Sequence, residues 1–141
     1  MREASDGDVL HSRCALIAPG GRHAEILRKN GKLVVRLTRE PAVRGHRPSA
    51  DVLFRTIAEV VGARAVGLIL TGMGSDGADG MAAIREAGGH TLAQDEESSV
   101  VFGMPKVAIE RGVVDRILPL STMAGYLNSL SSQQRGTSWI A

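Results

Sequence analysis

The chain has 141 residues and a formal net charge of +2, and 43% of its residues are hydrophobic but only 3% are aromatic. A chain of this length buries roughly two-thirds of its unfolded surface, which is enough for one domain with an aliphatic core. The scarcity of aromatic side chains argues against a stacking platform for single-stranded nucleic acid, and no apolar run is long enough to span a bilayer.

The first forty residues are typical of short strands and turns. An apolar run at 14–18 predicts a strand that ends at Pro19, and a second strand at 33–37 follows the turn signal Asn30-Gly31. Residues 41–48 are predicted to form a loop, because they contain two prolines and a glycine.

From residue 49 onward, helices and strands alternate. The predicted elements are, in order, a helix capped by Ser49 that ends at Gly62, a strand at 66–70, a helix near 77–87, a strand at 90–94, a short helix opening near Pro105, a strand at 113–118 and a helix capped by Ser121 that runs to about Leu130. This alternation predicts parallel strands with right-handed crossovers, and hence an α/β domain over residues 1–130. Residues 131–141, including Trp139, are predicted to form a frayed tail.

The most informative motif, Gly72-Met73-Gly74-Ser75-Asp76-Gly77, follows the strand at 66–70. In an open α/β sheet, ligands and chemistry collect at the carboxyl ends of the strands. Asp76 is therefore a candidate functional carboxylate, and its turn is one that glycines allow other groups to approach closely.

Several interpretations of this turn are open on local features. It matches the dinucleotide-binding pattern G-x-G-x-x-G, with Asp95 near the place of a ribose-binding acid, but Asp76 would compete with a pyrophosphate for the same helix amides. A nucleophilic role for Ser75 would require the pattern G-x-S-x-G, but the first glycine of that pattern is missing. Ser75 is therefore better interpreted as a serine of the turn. Asp76 is either the acid that orients the histidine of a Ser-His-Asp triad or a simple helix N-cap.

Further motifs reveal a family resemblance. The chain resembles the catalytic domain of the chemotaxis protein-glutamate methylesterases, the CheB family, from about Glu3 to Leu130. The matching segments are Ile17-Ala18-Pro19-Gly20 with His23, His46-Arg47-Pro48-Ser49 followed by Asp51-Val52-Leu53-Phe54, Gly67–Gly74 with Asp76-Gly77, Ala93-Gln94-Asp95-Glu96, and Val101-Phe102-Gly103-Met104-Pro105. Found together in this order, these segments indicate the family far more specifically than the glycine motif alone does.

The resemblance implies a doubly wound, mostly parallel, three-layer α/β fold. It also implies a hydrolase that removes methyl groups from glutamyl methyl esters on chemoreceptors, with glutamine deamidation in some members. Asp76 then corresponds to the triad aspartate. The Gly72-Met73-Gly74 turn lies beside the active site, where Met73 shapes the pocket next to the reacting carbonyl, and His46 and Arg47 lie in a loop that faces the receptor.

No cofactor and no metal is expected, because no two histidines have metal-ligand spacing and one cysteine, Cys14, does not close a zinc site. His11, His23 and His90 are expected to have surface or structural roles. With a single cysteine and no apolar leader, the chain is predicted to be cytoplasmic. Its expected partners are the cytoplasmic domains of methylated chemoreceptors, with neither nucleic acid nor membrane insertion.

One departure from the family pattern matters. The family's nucleophilic serine and general-base histidine precede the aspartate, upstream of the part that Glu3 matches, and the chain contains neither in the right context. We therefore expect a sheet incomplete at its N-terminal strands and no methylesterase activity in the isolated chain, because triad members act as a unit. An exposed sheet edge would favour self-association. The alternative is a non-catalytic module that binds a receptor or a partner supplying the missing strands.

Overall fold

The amino-terminal part of the chain forms two small sheets in the computed structural model, which describes residues 1–135. β1 (Arg2–Glu3) lies parallel to β2 (Leu16–Ile17), and β3 (His23–Lys29) pairs antiparallel with β4 (Lys32–Thr38). The hairpin turns at Asn30-Gly31, where both residues have positive φ, 50° and 75°, as a two-residue turn between twisted strands requires. The turn signal therefore marks a real hairpin, whose first strand the apolar pattern alone does not reveal.

The second part of the chain alternates helices and parallel strands, as predicted. After α1 (Ala50–Val61) come β5 (Val66–Ile69), α2 (Ala78–Glu86), β6 (His90–Gln94), α3 (Met104–Glu110), β7 (Arg116–Leu118) and α4 (Leu120–Arg135). The three strands form one parallel sheet in the order β5-β6-β7. The chain thus has the predicted α/β architecture with mostly parallel strands.

β7 is shorter than predicted, because it begins at Arg116 rather than at Val113. The carboxylate of Asp115 accepts hydrogen bonds from the backbone amide and the hydroxyl of Thr91, both at 2.9 Å, in the place where strand pairing would otherwise continue. The side chains of Val113 and Val114 pack against the core cluster beneath α2 and α3 instead.

The last helix, α4, begins at Leu120, so Ser121 lies within it and the prediction that Ser121 caps it is wrong; the helix runs to Arg135, past the expected end at Leu130. Neither glycine nor proline interrupts the chain between Leu130 and Gly136, so no sequence signal ends the helix earlier. The rest of the expected tail, 136–141, lies outside the described residues.

The core is aliphatic and places α1 between the hairpin and α2. One face of α1 contributes Leu53 and Ile57, which pack against Ile26 and Val35 of the hairpin. Another part of α1 packs against Ile84 of α2. Because α1 is held on both sides, its first turn has a defined position beside the carboxyl end of β5.

β5 is an outer strand of the three-stranded sheet, since β6 is its only hydrogen-bonded neighbour in the part of the chain that the structure describes. An unpaired strand edge is a template for pairing with another chain, so self-association stays a prediction that light scattering at high concentration can check. Within residues 1–135, no helix combines the length and apolar character needed to cross a membrane.

Candidate active site

The turn between β5 and α2 is hydrogen-bonded to the segment that leads into α3. The amide of Gly72 donates to the carbonyl of Val101 at 3.0 Å, and the carbonyl of Gly72 accepts from the amides of Gly103 and Met104 at 3.1 and 2.8 Å. The two segments are so close that a Cβ on Gly103 would lie 2.6 Å from the carbonyl oxygen of Gly72. The Gly72-Met73-Gly74 turn is therefore held rigidly at the carboxyl edge of the sheet.

A buried glutamine ties the neighbouring strand to the same turn. Gln94, at the end of β6, accepts a hydrogen bond from the amide of Thr71 at 2.8 Å through its side-chain oxygen. Its side-chain nitrogen donates to the carbonyl of Ser98 at 2.7 Å. The ends of β5 and β6 are thereby joined through one side chain, which explains why Gln94 occupies a buried position.

Asp76 is buried, with 7% of its surface exposed, and it accepts hydrogen bonds from the beginning of α1. The hydroxyl of Ser49 donates to its Oδ1 at 2.6 Å, the amide of Ala50 donates to its Oδ2 at 2.7 Å, and the amide of Asp51 donates to Oδ1 at 3.2 Å. These amides are among those that a helix leaves unpaired in its first turn. Asp76 therefore caps α1 across the fold.

This arrangement differs from a local cap of the helix that follows Asp76. The N-cap residue of α2 is Gly77, at φ 93°, and it has no side-chain cap. Ser49 is the N-cap residue of α1, as predicted, but its hydroxyl makes no hydrogen bond to the helix. Because that hydroxyl donates to Asp76, the carboxylate takes over the capping role.

Burial raises the pKa of Asp76, but the hydrogen bonds from Ser49, Ala50 and Asp51, together with the nearby His46, lower it by more. The net result is a pKa below the ordinary aspartate value, so the carboxylate is ionised at neutral pH. An ionised carboxylate at a helix N-terminus is also favoured by the helix dipole.

The lowered pKa predicts how stability depends on pH. The folded state holds the proton of Asp76 less tightly than the unfolded state does. The ionised Asp76 therefore contributes to the free energy of unfolding above its ordinary pKa of 3.8, and this contribution is lost as pH falls through the lower pKa of the folded state. Urea unfolding at several pH values should therefore show that the stability advantage of the wild type over Asp76→Asn narrows below about pH 4. A gap that stays constant down to the acid limit of folding would contradict the lowered pKa.

A second carboxylate, from α1, accepts a hydrogen bond from α2 and so makes the reciprocal contact. Asp51, in the first turn of α1, accepts a hydrogen bond from the amide of Gly80 in α2 at 2.8 Å. Its other oxygen is buried without a hydrogen-bond partner and lies 3.8 Å from the guanidinium of Arg44. Asp76 thus caps α1 while Asp51 caps α2, and this exchange fixes the two helix beginnings against each other.

The loop at 41–48 folds over this junction through a tight turn. The backbones of Val43 and His46 form a pair of hydrogen bonds at 3.0 and 2.9 Å around Arg44 and Gly45, which have φ 50° and 83°. Arg44 also donates to Asp79 of α2 at 2.5 Å. The loop is therefore fastened to α2 and carries His46 towards the glycine turn.

The other predicted substrate-binding residues lie at the rim of the site. His46 is exposed, and a Cβ on Gly74 would lie 3.9 Å from its Nε2. Met73 is 82% exposed at the tip of the turn. Arg47 is also exposed, but its guanidinium donates to the carbonyls of Arg39 and Glu40, both at 3.3 Å. His46 thus lies close to Gly74, the neighbour of Met73, whereas Arg47 is tied back to Arg39 and Glu40, which precede the loop.

Asp76 forms part of the wall of an open cleft of about 280 Å³, whose other walls include the apolar side chains of Ala18, Ala24, Pro48 and Leu53. A carboxylate has about four acceptor positions, and the three hydrogen bonds from α1 occupy three of them. Asp76 therefore has the capacity to accept one more donor. An immobile, ionised carboxylate with spare capacity is what a triad needs to orient an imidazole.

The geometry disfavours dinucleotide binding at the same turn. Gly77 is covered, because a Cβ there would lie 3.2 Å from Ile69 and 3.3 Å from Ala50. The amide of Gly80 already donates to Asp51. The beginning of α2 is thus occupied by α1, and a pyrophosphate would have to displace both a helix and a carboxylate. Residues 1–135 contain no cluster of three or more histidine, cysteine or acidic side chains placed to hold a metal ion.

Sequence reasoning missed the parts that Ser49 and His23 play around Asp76. Ser49 was expected only as a helix cap, and His23 only in a surface or structural role. The structure buries both, with the amide of Ser49 donating to Nδ1 of His23 at 3.2 Å. Both residues lie in segments that carry the family resemblance, which was the available signal, but local patterns do not show that segments 26 residues apart meet.

Comparisons with known proteins show the family to which this chain belongs. The profile of a family described as CheB methylesterase matches residues 1–127. A Koribacter versatilis protein named protein-glutamate methylesterase/protein-glutamine glutaminase 2 is 53% identical over 139 residues, which are 99% of this chain and 38% of that protein. An Anaeromyxobacter dehalogenans protein named protein-glutamate methylesterase/protein-glutamine glutaminase 4 is 48% identical over 135 residues, which are 96% of this chain and 38% of that protein.

A solved structure extends the agreement to the fold. The crystal structure of the Thermotoga maritima CheB methylesterase catalytic domain has a TM-score of 0.89 and 37% identity to this chain, and the match covers 91% of this chain and 68% of that one. The chain spans a little over a third of the length of the curated relatives. The sequence resemblance is thereby confirmed, and this chain belongs to the CheB methylesterase family.

Proposed function

We propose that this chain is the aspartate-bearing part of a catalytic domain that hydrolyses glutamyl methyl esters, and in some contexts glutamine amides, on methylated chemoreceptors. The observation that carries the proposal is Asp76: a buried, ionised carboxylate held by three donors in the wall of a cleft. The names of the relatives, which combine methylesterase and glutaminase, supply the substrate class. The proposed site of action is the cytoplasmic domain of the receptor.

In the proposed reaction, a serine hydroxyl attacks the ester carbonyl while an imidazole takes its proton. The imidazolium then gives that proton to the departing methoxide, which leaves as methanol, and a water molecule hydrolyses the acyl-enzyme by the same route in reverse. Asp76 stays ionised throughout. It accepts a hydrogen bond from Nδ1–H of the imidazole, which selects the reactive tautomer and stabilises the imidazolium.

The rim residues are proposed to meet the substrate. Met73 is exposed on the rigid turn that precedes Asp76, and His46 lies close to Gly74 of the same turn. We assign Gly72, Met73 and Gly74 to the pocket around the reacting carbonyl and His46 to the surface that faces the receptor. Arg47 contributes by holding its loop, because its guanidinium is already paired with two carbonyls.

The proposal is tested by complementation. The part of the Thermotoga maritima catalytic domain that this chain does not cover would be fused ahead of the chain, and methanol release from methylated receptor would be measured. We expect release from the fusion and none from the 141-residue chain alone, because the serine and the base act with Asp76 as a unit.

Two results would reject parts of this proposal. Methanol release by the pure chain would require a nucleophile within the chain itself. A folded but inactive fusion that still binds receptor would favour the non-catalytic binding module. Micromolar binding of NAD to the chain in calorimetry would instead support the dinucleotide alternative.

A further inference from the structure

A buried histidine contacts Ser49, which in turn contacts the candidate catalytic carboxylate. His23, at the beginning of β3, is 1% exposed, and both of its ring nitrogens have partners. Nε2 lies 3.0 Å from the carbonyl oxygen of Pro41, and Nδ1 lies 3.2 Å from the amide nitrogen of Ser49. Ser49 in turn donates through its hydroxyl to Asp76. One continuous path of hydrogen bonds therefore runs from the loop at 41–48, through His23 and Ser49, to the carboxylate.

The two partners of His23 specify its tautomer. A carbonyl oxygen only accepts, so Nε2 must carry the proton that it shares with Pro41. A backbone amide only donates, so Nδ1 must present its lone pair to Ser49. The two contacts are those of the Nε2–H tautomer, and the opposite tautomer would lose both hydrogen bonds at once.

The contact with Ser49 matters because of where Ser49 lies. The three donors that hold Asp76 come from residues 49–51, at the point where the loop enters α1. The same entry is held from a second direction, because the amide of Gly21 donates to the carbonyl of Arg47 at 3.2 Å. The segment that leads into β3 therefore holds the segment that leads into α1 through one backbone hydrogen bond and through the side chain of His23.

We propose that His23 is a positioning residue for Asp76, which acts through Ser49 by fixing the donors that orient the carboxylate. This inference rests on the proposed function in one respect, namely that Asp76 orients the catalytic imidazole. A misplacement of the carboxylate by a fraction of an ångström would then be transmitted to the base. His23 itself touches neither substrate nor the reacting atoms.

Two amide variants, each of which retains a polar group near one ring nitrogen, separate a positioning role of His23 from a packing role. In His23→Asn the amide oxygen takes the place of Nδ1 and keeps an acceptor for Ser49, whereas His23→Gln places its amide near Nε2 and leaves the amide of Ser49 without a partner. Amide chemical shifts of the 141-residue chain at pH 7 report the contact between Ala50 and Asp76 directly, in the absence of any activity. We expect the Ala50 resonance to move upfield in His23→Gln and to stay near its wild-type position in His23→Asn.

The second readout is catalytic and uses the fusion enzyme described above. We expect His23→Gln to lower kcat by about ten- to a hundred-fold with an unchanged KM, because small displacements of a positioned group have effects of this size. His23→Asn is expected to recover most of the loss. A packing role alone would not distinguish the two amides in this way.

The wild-type chain provides a test that does not depend on any variant folding. Ring nitrogen shifts should identify the Nε2–H tautomer of His23, with a scalar coupling across the hydrogen bond to the amide nitrogen of Ser49. The Nδ1–H tautomer, or identical Ala50 shifts and kcat in wild type and His23→Gln, would overturn the inference. An inactive fusion that carries wild-type His23 and shows the expected shifts would instead reject the proposed function and leave the His23 contact established.

Discussion

Replacing Asp76 with asparagine in the fusion enzyme is expected to lower kcat by about four orders of magnitude, with little change in KM. An asparagine at this position cannot select the imidazole tautomer through a carboxylate and cannot stabilise the imidazolium. The measurement is methanol release from methylated receptor under saturating substrate. Binding of the receptor should persist, because the rim residues Met73 and His46 are untouched.

Asp76→Asn also has a structural cost that must be measured in parallel. The asparagine oxygen can still accept from Ser49 and Asp51, but its NH₂ group would face the amide of Ala50, which is also a donor. We expect a loss of about 1–3 kcal/mol in the free energy of unfolding, which chemical denaturation would report. Activity is therefore compared only under conditions in which both proteins are folded.

Asp115 provides a matched control for this substitution. Burial raises its pKa, but hydrogen bonds from Thr91 and the nearby Arg85 bring it below the ordinary value, as for Asp76. Asp115 lies beside β6 and β7 and is not part of the cleft. Asp115→Asn should lower stability and leave kcat almost unchanged. Equal losses of kcat in both variants, or a nearly active Asp76→Asn enzyme, would remove Asp76 from the triad.

Replacing Gly80 with alanine is expected to destabilise the chain by about 1–3 kcal/mol, even though alanine favours helices over glycine by about 1 kcal/mol. A Cβ at this position would lie 2.5 Å from Cβ of Phe54 and 3.2 Å from Cα of Asp51. Neither atom is the end of a flexible side chain, so α1 and α2 would have to move apart. That movement would lengthen the hydrogen bond from Gly80 to Asp51 and pull the beginning of α1 away from Asp76.

Gly125 is the matched control, because it also lies in a helix but a Cβ there would have no neighbour within 4 Å. Gly125→Ala should raise the free energy of unfolding by up to about 1 kcal/mol. Thermal and urea unfolding of both variants would measure the opposite signs. A Gly80→Ala chain as stable as the Gly125→Ala chain would show that the close crossing of α1 and α2 is not needed.

Much of the architecture follows from local patterns in the sequence. The alternation of apolar strands and helices from residue 49 onward predicts that β5, β6 and β7 run parallel, because a helix between two strands returns the chain to the edge at which the first strand began. The Asn30-Gly31 signal predicts the turn and the strand that follows it, but not the first strand of the hairpin. The boundaries of β7 and α4 were less accurate, since Asp115 competes for strand pairing and no residue before Gly136 terminates the helix.

The sequence likewise predicts Asp76 as the candidate carboxylate, but it does not reveal the surroundings of Asp76. The position of Asp76 after a buried strand, together with the family motifs, points to one residue. The sequence offered no sign that Asp76 caps α1 rather than α2, that Ser49 donates to it instead of capping its own helix, or that Arg47 is tied to Arg39 and Glu40. Each of these contacts depends on side-chain directions that only the packed structure defines.

The sequence by itself determined the fold class and the family and made Asp76 the candidate carboxylate, because periodicity, turn residues and linear motifs are encoded within short segments. The tertiary structure alone decided the contacts around the carboxylate: three donors at the beginning of α1, the amide of Gly80 that donates to Asp51, and the amide of Ser49 that donates to His23. Those partners lie more than 20 residues apart along the chain. They meet because α1 is packed between the hairpin and α2, and that packing is a property of the whole core rather than of any one segment.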